Sequence, residues 1–126
     1  MRRGARPRWR PGYKPEATET AIQRAVLHAL AWHPAVAFAC RTNTGGAYLG
    51  KGAQRRFVRF NPPGWSDITG QLRDGRFLAV ECKRVGEEPT ADQRMHLTRV
   101  NANGGLAFVA HGADDVQQAL AHAVKR

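Results

Sequence analysis

Two carboxylates and an ammonium stand where a β-sheet should carry only apolar side chains. Asp67 immediately precedes the run Ile68-Thr69-Gly70-Gln71-Leu72, and Glu81 and Lys83 interrupt the apolar stretch Leu78-Ala79-Val80-Glu81-Cys82-Lys83. Burying one unpaired charge costs on the order of several kcal/mol, so a compensating group is required. A hard divalent cation held by carboxylate oxygens is the natural one. The chemistry such a set supports is phosphodiester hydrolysis, which needs a nucleophilic water, compensation for charge growing on the phosphate, and a proton for the leaving oxygen. On this reading Asp67 and Glu81 hold Mg2+ or Mn2+, while Lys83 orients or helps deprotonate the attacking water and offsets phosphate charge.

The flanking pattern says how these side chains are brought together. Asp74-Gly75 is a strong hairpin signal, so residues 66–72 and 76–83 are expected to pair as adjacent antiparallel strands. Strand parity then sends Phe77, Ala79, Glu81 and Lys83 to one face and Leu78, Val80 and Cys82 to the other. Upstream, Thr18 caps a helix with Glu19 in its first turn, and Ile22, Val26, Ala29 and Leu30 recur at helical spacing until Pro34. Residues 35–41 read as a buried strand, 42–50 as a glycine-rich loop, and 55–60 as an alternating basic and apolar run that Asn61-Pro62-Pro63-Gly64 ends. Thr90-Ala91-Asp92-Gln93 matches a capping box opening a helix to about Asn101, and Gly104-Gly105 closes it. A short apolar strand at 106–110 follows. A last helix starts at Asp114 or Asp115, carries Val116, Ala119, Leu120, Ala123 and Val124, and ends in Lys125 and Arg126, suited to its negative end. The order is that of a mixed α/β fold without internal repeats.

Each residue also has a plainer reading. Asp67 could be a turn residue, Glu81 with Lys83 a surface ion pair, Gln93 a helix cap, and Glu19 a complement to the helix dipole. All of these would have to hold together for the site to vanish. Trp65 is either a platform for a base or a half-buried core residue. Cys40, Cys82 and the histidines at 28, 33, 96, 111 and 122 show no zinc-binding spacing, and the histidines read as surface or helix-end residues, with His96 the one placed near the site.

Charge points to the partner. Against ten acidic residues stand twenty Lys and Arg, a net charge of +10 that suits a polyanion, nucleic acid first. Residues 1–15 carry Arg2, Arg3, Arg6, Arg8, Arg10 and Lys14 among prolines and glycines and are expected to be a flexible basic arm, ahead of one domain at 16–126. Lys51, Arg55, Arg56 and Arg59 form a second cluster. At 126 residues one core can bury roughly two thirds of the unfolded surface. No apolar stretch is long enough to span a membrane, no secretory h-region follows the arm, and both cysteines lie in apolar runs, so a cytoplasmic protein with reduced, buried thiols is expected.

Taken in order, a Glu on the first helix (Glu19, with Gln23), Arg41-Thr42-Asn43-Thr44-Gly45, Gly64-Trp65-Ser66-Asp67-Ile68, Glu81-Cys82-Lys83 and Gln93 resemble the VRR-NUC branch of the PD-(D/E)XK nuclease superfamily over about residues 16–124. Ser66 departs from the proline usual before the first acid. The resemblance implies a restriction-endonuclease-like αβββαβ core with a mixed central sheet flanked by helices. It implies that the Cys82 backbone carbonyl joins Asp67 and Glu81 on the metal, that Glu19 reaches it directly or through water, and that Gln93 positions Lys83 or the water. Arg41, Asn43, Lys51, Arg55, Arg56 and Arg59 would hold the DNA backbone. The expected activity is that of a Mg2+- or Mn2+-dependent endodeoxyribonuclease acting as a homodimer on branched DNA such as four-way junctions, in a bacterial host or phage-infected cell. The alternatives are a non-catalytic basic nucleic-acid-binding module on a nuclease-like fold, and a subunit dependent on a missing partner.

Overall fold

The computed structural model describes residues 17–42 and 45–124. The expectation of a flexible arm at 1–15, the contact assigned to Asn43 and the charged end at Lys125 and Arg126 therefore lie outside the described residues. Helix α1 (Glu19–Trp32) starts where Thr18 accepts the Ala21 N–H at 3.1 Å, and it turns Ile22, Val26 and Leu30 inward. Strands β1 (Val36–Arg41), β4 (Ile68–Leu72), β5 (Phe77–Cys82) and β6 (Leu106–Ala110) form one mixed sheet in the order β1-β4-β5-β6. The first three are antiparallel neighbours, and β6 runs parallel to β5. Parallel neighbours need a crossover, which α2 (Ala91–Ala102) supplies.

The two faces of the sheet bury different helices. Leu78, Val80 and Cys82 pack with Ile22, Val26 and Leu30 of α1 and with Val116 and Leu120 of α3 (Ala113–Val124), while Ala79 and Ala107 face Leu97 of α2. The parity expected for β5 is therefore the parity observed. A mixed α/β architecture results, with helices on both sides of the sheet. No helix among the described residues is long and apolar enough to cross a membrane.

Three expectations need correction. Residues 35–41 do form a strand, but an edge one: only Val36 is buried within β1, Phe38 is 58% exposed, and Cys40 is exposed rather than buried. An edge strand has one neighbour, and α2 covers β5 and β6 instead. Gly70 answers this edge, since a Cβ there would run into the Phe38 carbonyl oxygen where β1 breaks register. The expected loop at 42–50 contains β2 (Gly46–Leu49), which pairs with β3 (Arg56–Arg59) as a separate two-stranded ribbon. Finally, His96 is buried instead of lying at the surface.

Candidate active site

The hairpin register decides the first contact. Ile68 pairs with Val80, so one step outward sets Asp67 beside Glu81. Asp67 Oδ2 accepts the Cys82 N–H at 2.9 Å, and its carbonyl accepts the Thr42 N–H at 2.8 Å, tying the acid to β5 on one side and to the end of β1 on the other. Glu81 is 1% exposed. Its Oε1 accepts from Gln93 Nε2 at 2.8 Å and lies 3.8 Å from Lys83 Nζ, while its Oε2 is buried with no hydrogen-bond donor.

Burial, followed by the neighbouring Asp67 charge and a hydrogen bond that a protonated Glu81 can share with Asp67, pushes the Glu81 carboxyl up to about 8; Lys83 pulls the other way without offsetting it. A buried carboxylate with one orphan oxygen beside a second carboxylate is what a cation would relieve. The donor set fits a hard divalent ion in its chemistry, since both side chains offer oxygen. Among the described residues no third acidic, histidine or cysteine side chain joins the pair closely enough to enclose an ion.

Gln93 has the capping role expected of it, and its amide bonds Glu81 where Lys83 or a water was the expected partner. Thr90 and Gln93 form a complete capping box, with Gln93 Oε1 accepting the Thr90 N–H at 2.9 Å, which leaves the amide nitrogen to reach Glu81. Gly64 lets the preceding turn close on this helix. Its φ is +83°, and a Cβ would strike the Asp92 backbone at the start of α2. Lys83 is anchored through its main chain: its N–H donates to the Ala110 carbonyl at 3.1 Å, and its carbonyl accepts at 3.0 Å from His111 Nδ1, which must carry the proton.

A cleft of about 250 Å³ opens beside Asp67 and Gln93, lined also by Arg59, Asn61, Trp65 and Asp92, while Glu81 and Lys83 do not line it. Arg59 thus reaches the site from β3, whereas Lys51, Arg55 and Arg56 stay exposed on the ribbon and Arg41 is exposed at the end of β1. Glu19 does not enter the cluster as a side-chain ligand. It sits half-buried on α1, and its charge acts on the Cys82 thiol. That thiol is pushed up to about 12, chiefly by burial and then by Asp67, Glu81 and Glu19, so it is an apolar core group and no nucleophile. Trp65 stacks against His96 with ring centroids 4.4 Å apart, and burial lowers the imidazole pKa.

Sequence reasoning missed the His111 anchor and the Trp65–His96 pair. The first depends on a crossover contact that no local pattern encodes. The alternation Gly46-Ala47-Tyr48-Leu49 facing Arg56-Phe57-Val58-Arg59 was the available signal for the ribbon. A scan against protein-family models finds no match, and a search of curated proteins likewise finds none.

Proposed function

We propose that this chain is a metal-dependent endodeoxyribonuclease on a restriction-endonuclease-like αβββαβ core, with α1, β1, β4, β5, α2 and β6 as that core. One observation carries the reading: Asp67 and Glu81 meet at the end of the sheet, with Glu81 buried, one of its oxygens orphaned and the other held by Gln93 close to Lys83. Pure binding of a polyanion gains nothing from two clustered carboxylates, which repel phosphate. Mg2+ or Mn2+ would be held by Asp67, Glu81 and the Cys82 backbone carbonyl, with Glu19 acting through water, and when bound would lower the pKa of a water and stabilise charge on the phosphate. Gln93 fixes Glu81 Oε1 so that Oε2 is left for the ion. Lys83 orients the attacking water and offsets phosphate charge. Arg59 in the cleft, with Arg41, Asn43, Lys51, Arg55 and Arg56, holds the backbone.

Among the described residues no base-reading helix accompanies this cluster, and the recognition we propose is of DNA shape. Branched DNA such as a four-way junction, cut by a homodimer that presents two sites, is the substrate we propose, in the cytoplasm of a bacterial host or phage-infected cell. The rival is a non-catalytic basic nucleic-acid-binding module, and the absence of a third acidic side chain from the pair among the described residues is what favours it.

The deciding experiment incubates branched, nicked, single-stranded and duplex DNA with the protein in Mg2+, Mn2+ or chelator, alongside Asp67→Ala and Lys83→Ala. Cutting that requires the metal and falls at least about 100-fold in both variants supports the enzyme. Binding without cutting supports the module, and sedimentation showing a monomer on DNA removes the homodimer.

A further inference from the structure

The β2–β3 ribbon displays rings that phosphate binding does not need. Tyr48 and Phe57 are register partners and so share one face of the ribbon, yet they are 64% and 52% exposed and belong to neither buried cluster. Exposing two rings to water on a two-stranded ribbon is unfavourable unless something covers them. They are also held in place: their centroids lie 5.2 Å apart at 61°, the Arg55 guanidinium sits 4.4 Å over the Tyr48 ring, and Gly46 makes room for Phe57, since a Cβ there would come within 2.6 Å of its Cζ.

Charge selects the occupant. From residue 20 to residue 66 the chain contains no acid, while Lys51, Arg55, Arg56 and Arg59 fall within nine residues of sequence, with Arg55 over the Tyr48 ring and Arg59 on the face of β3 that carries Phe57. A second copy of the same ribbon would bring like charges together, whereas a polyanion would be attracted. Paired DNA hides the faces of its bases inside the stack. An unpaired strand exposes them, and stacking on aromatic side chains beside arginines is how such strands are held without sequence preference. Arg59 lies two residues from Phe57 on the same face and also lines the cleft with Asp67, so one cation links the ring-bearing face to the cleft.

We infer that this face of the ribbon binds an unpaired stretch of nucleic-acid strand, with bases on Tyr48 and Phe57 and phosphates on Arg55 and Arg59, and leads it to the cleft. The delivery part rests on the cleft being a phosphodiester site; the stacking part does not. The test measures binding of the full chain to a labelled single-stranded oligonucleotide and to a matched duplex, in chelator so that no cutting intervenes. Tyr48→Leu and Phe57→Leu should each weaken single-strand binding about tenfold, leave duplex binding within about twofold, and leave the salt slope unchanged. Tyr48→Phe and Phe57→Tyr keep a ring and should retain the affinity, which separates stacking from misfolding. Equal losses on both DNAs, no loss on either, or a change in sedimentation of the free protein would each overturn the inference. Its failure is separable from that of the nuclease reading, because ring-dependent binding is scored in chelator and metal-dependent cutting in the assay of Asp67 and Lys83.

Discussion

Gln93 donates through Nε2 to Oε1 of Glu81 at 2.8 Å, while its own Oε1 caps α2 at the Thr90 N–H. One amide thereby ties the start of a helix to a carboxylate buried in the sheet. Gln93→Ala should cost about 1–2 kcal/mol of stability from the lost cap and the unpaired carboxylate, read by denaturant unfolding. Gln93→Glu keeps a capping acceptor but sets a third acid against Glu81. Its unfolding midpoint should therefore rise more on adding Mg2+ than that of the wild type, and equal increments would remove the proposed role of the amide.

The pH dependence of stability follows from the same carboxyl. Glu81 ionises near 4.5 when unfolded and near 8 when folded without metal, so between those values the native state binds the extra proton. Its contribution to stability is fully present below about pH 4.5 and is lost as pH rises through about 8. Unfolding in chelator should show this decline, and Glu81→Gln should flatten it. On the proposed reading Mg2+ would displace this proton, so its apparent affinity should rise with pH up to about 8, with proton release detectable by calorimetry in buffers of different ionisation heat.

Gly64 tests whether the site depends on how closely the turn approaches α2. Gly64→Ala places a Cβ against the Asp92 backbone at a φ of +83°. We expect a loss of about 1–3 kcal/mol and, on the proposed reading, a larger proportional loss of cutting than of DNA binding, because α2 carries Gln93. Unchanged stability would mean that the turn relaxes freely.

The two thiols offer a direct check on the edge of the sheet. Cys40 is exposed on β1 and Cys82 is buried with its thiol pushed up to about 12. A thiol reagent at neutral pH should modify Cys40 in the native protein and reach Cys82 only on unfolding, as peptide mass mapping would show. Modification of Cys82 in the native state would contradict the packing of β5 against α1.

Where a residue's role depends on near neighbours, it could be read from the chain. The Thr18 and Thr90 caps, the Asp74-Gly75 hairpin and the facing of Glu81 away from Val80 and Cys82 follow from short-range sterics and a period of two, and the structure carries all of them. Pairing Asp67 with Glu81 needed only that hairpin register. Gln93 was legible as a cap because a capping box spans four residues, but its bond to Glu81 crosses from helix to sheet and depends on how α2 lies over β5.

Burial of β1, the fate of residues 46–49, the placing of Glu19 beyond the carboxylate pair and the His111 hold on Lys83 were likewise decided by tertiary structure. An apolar run does not say whether it will have one neighbour or two, nor does a helix period say which face of a sheet the helix will cover. Those choices are made by contacts between segments far apart in the chain, where packing and loop geometry outweigh local preference.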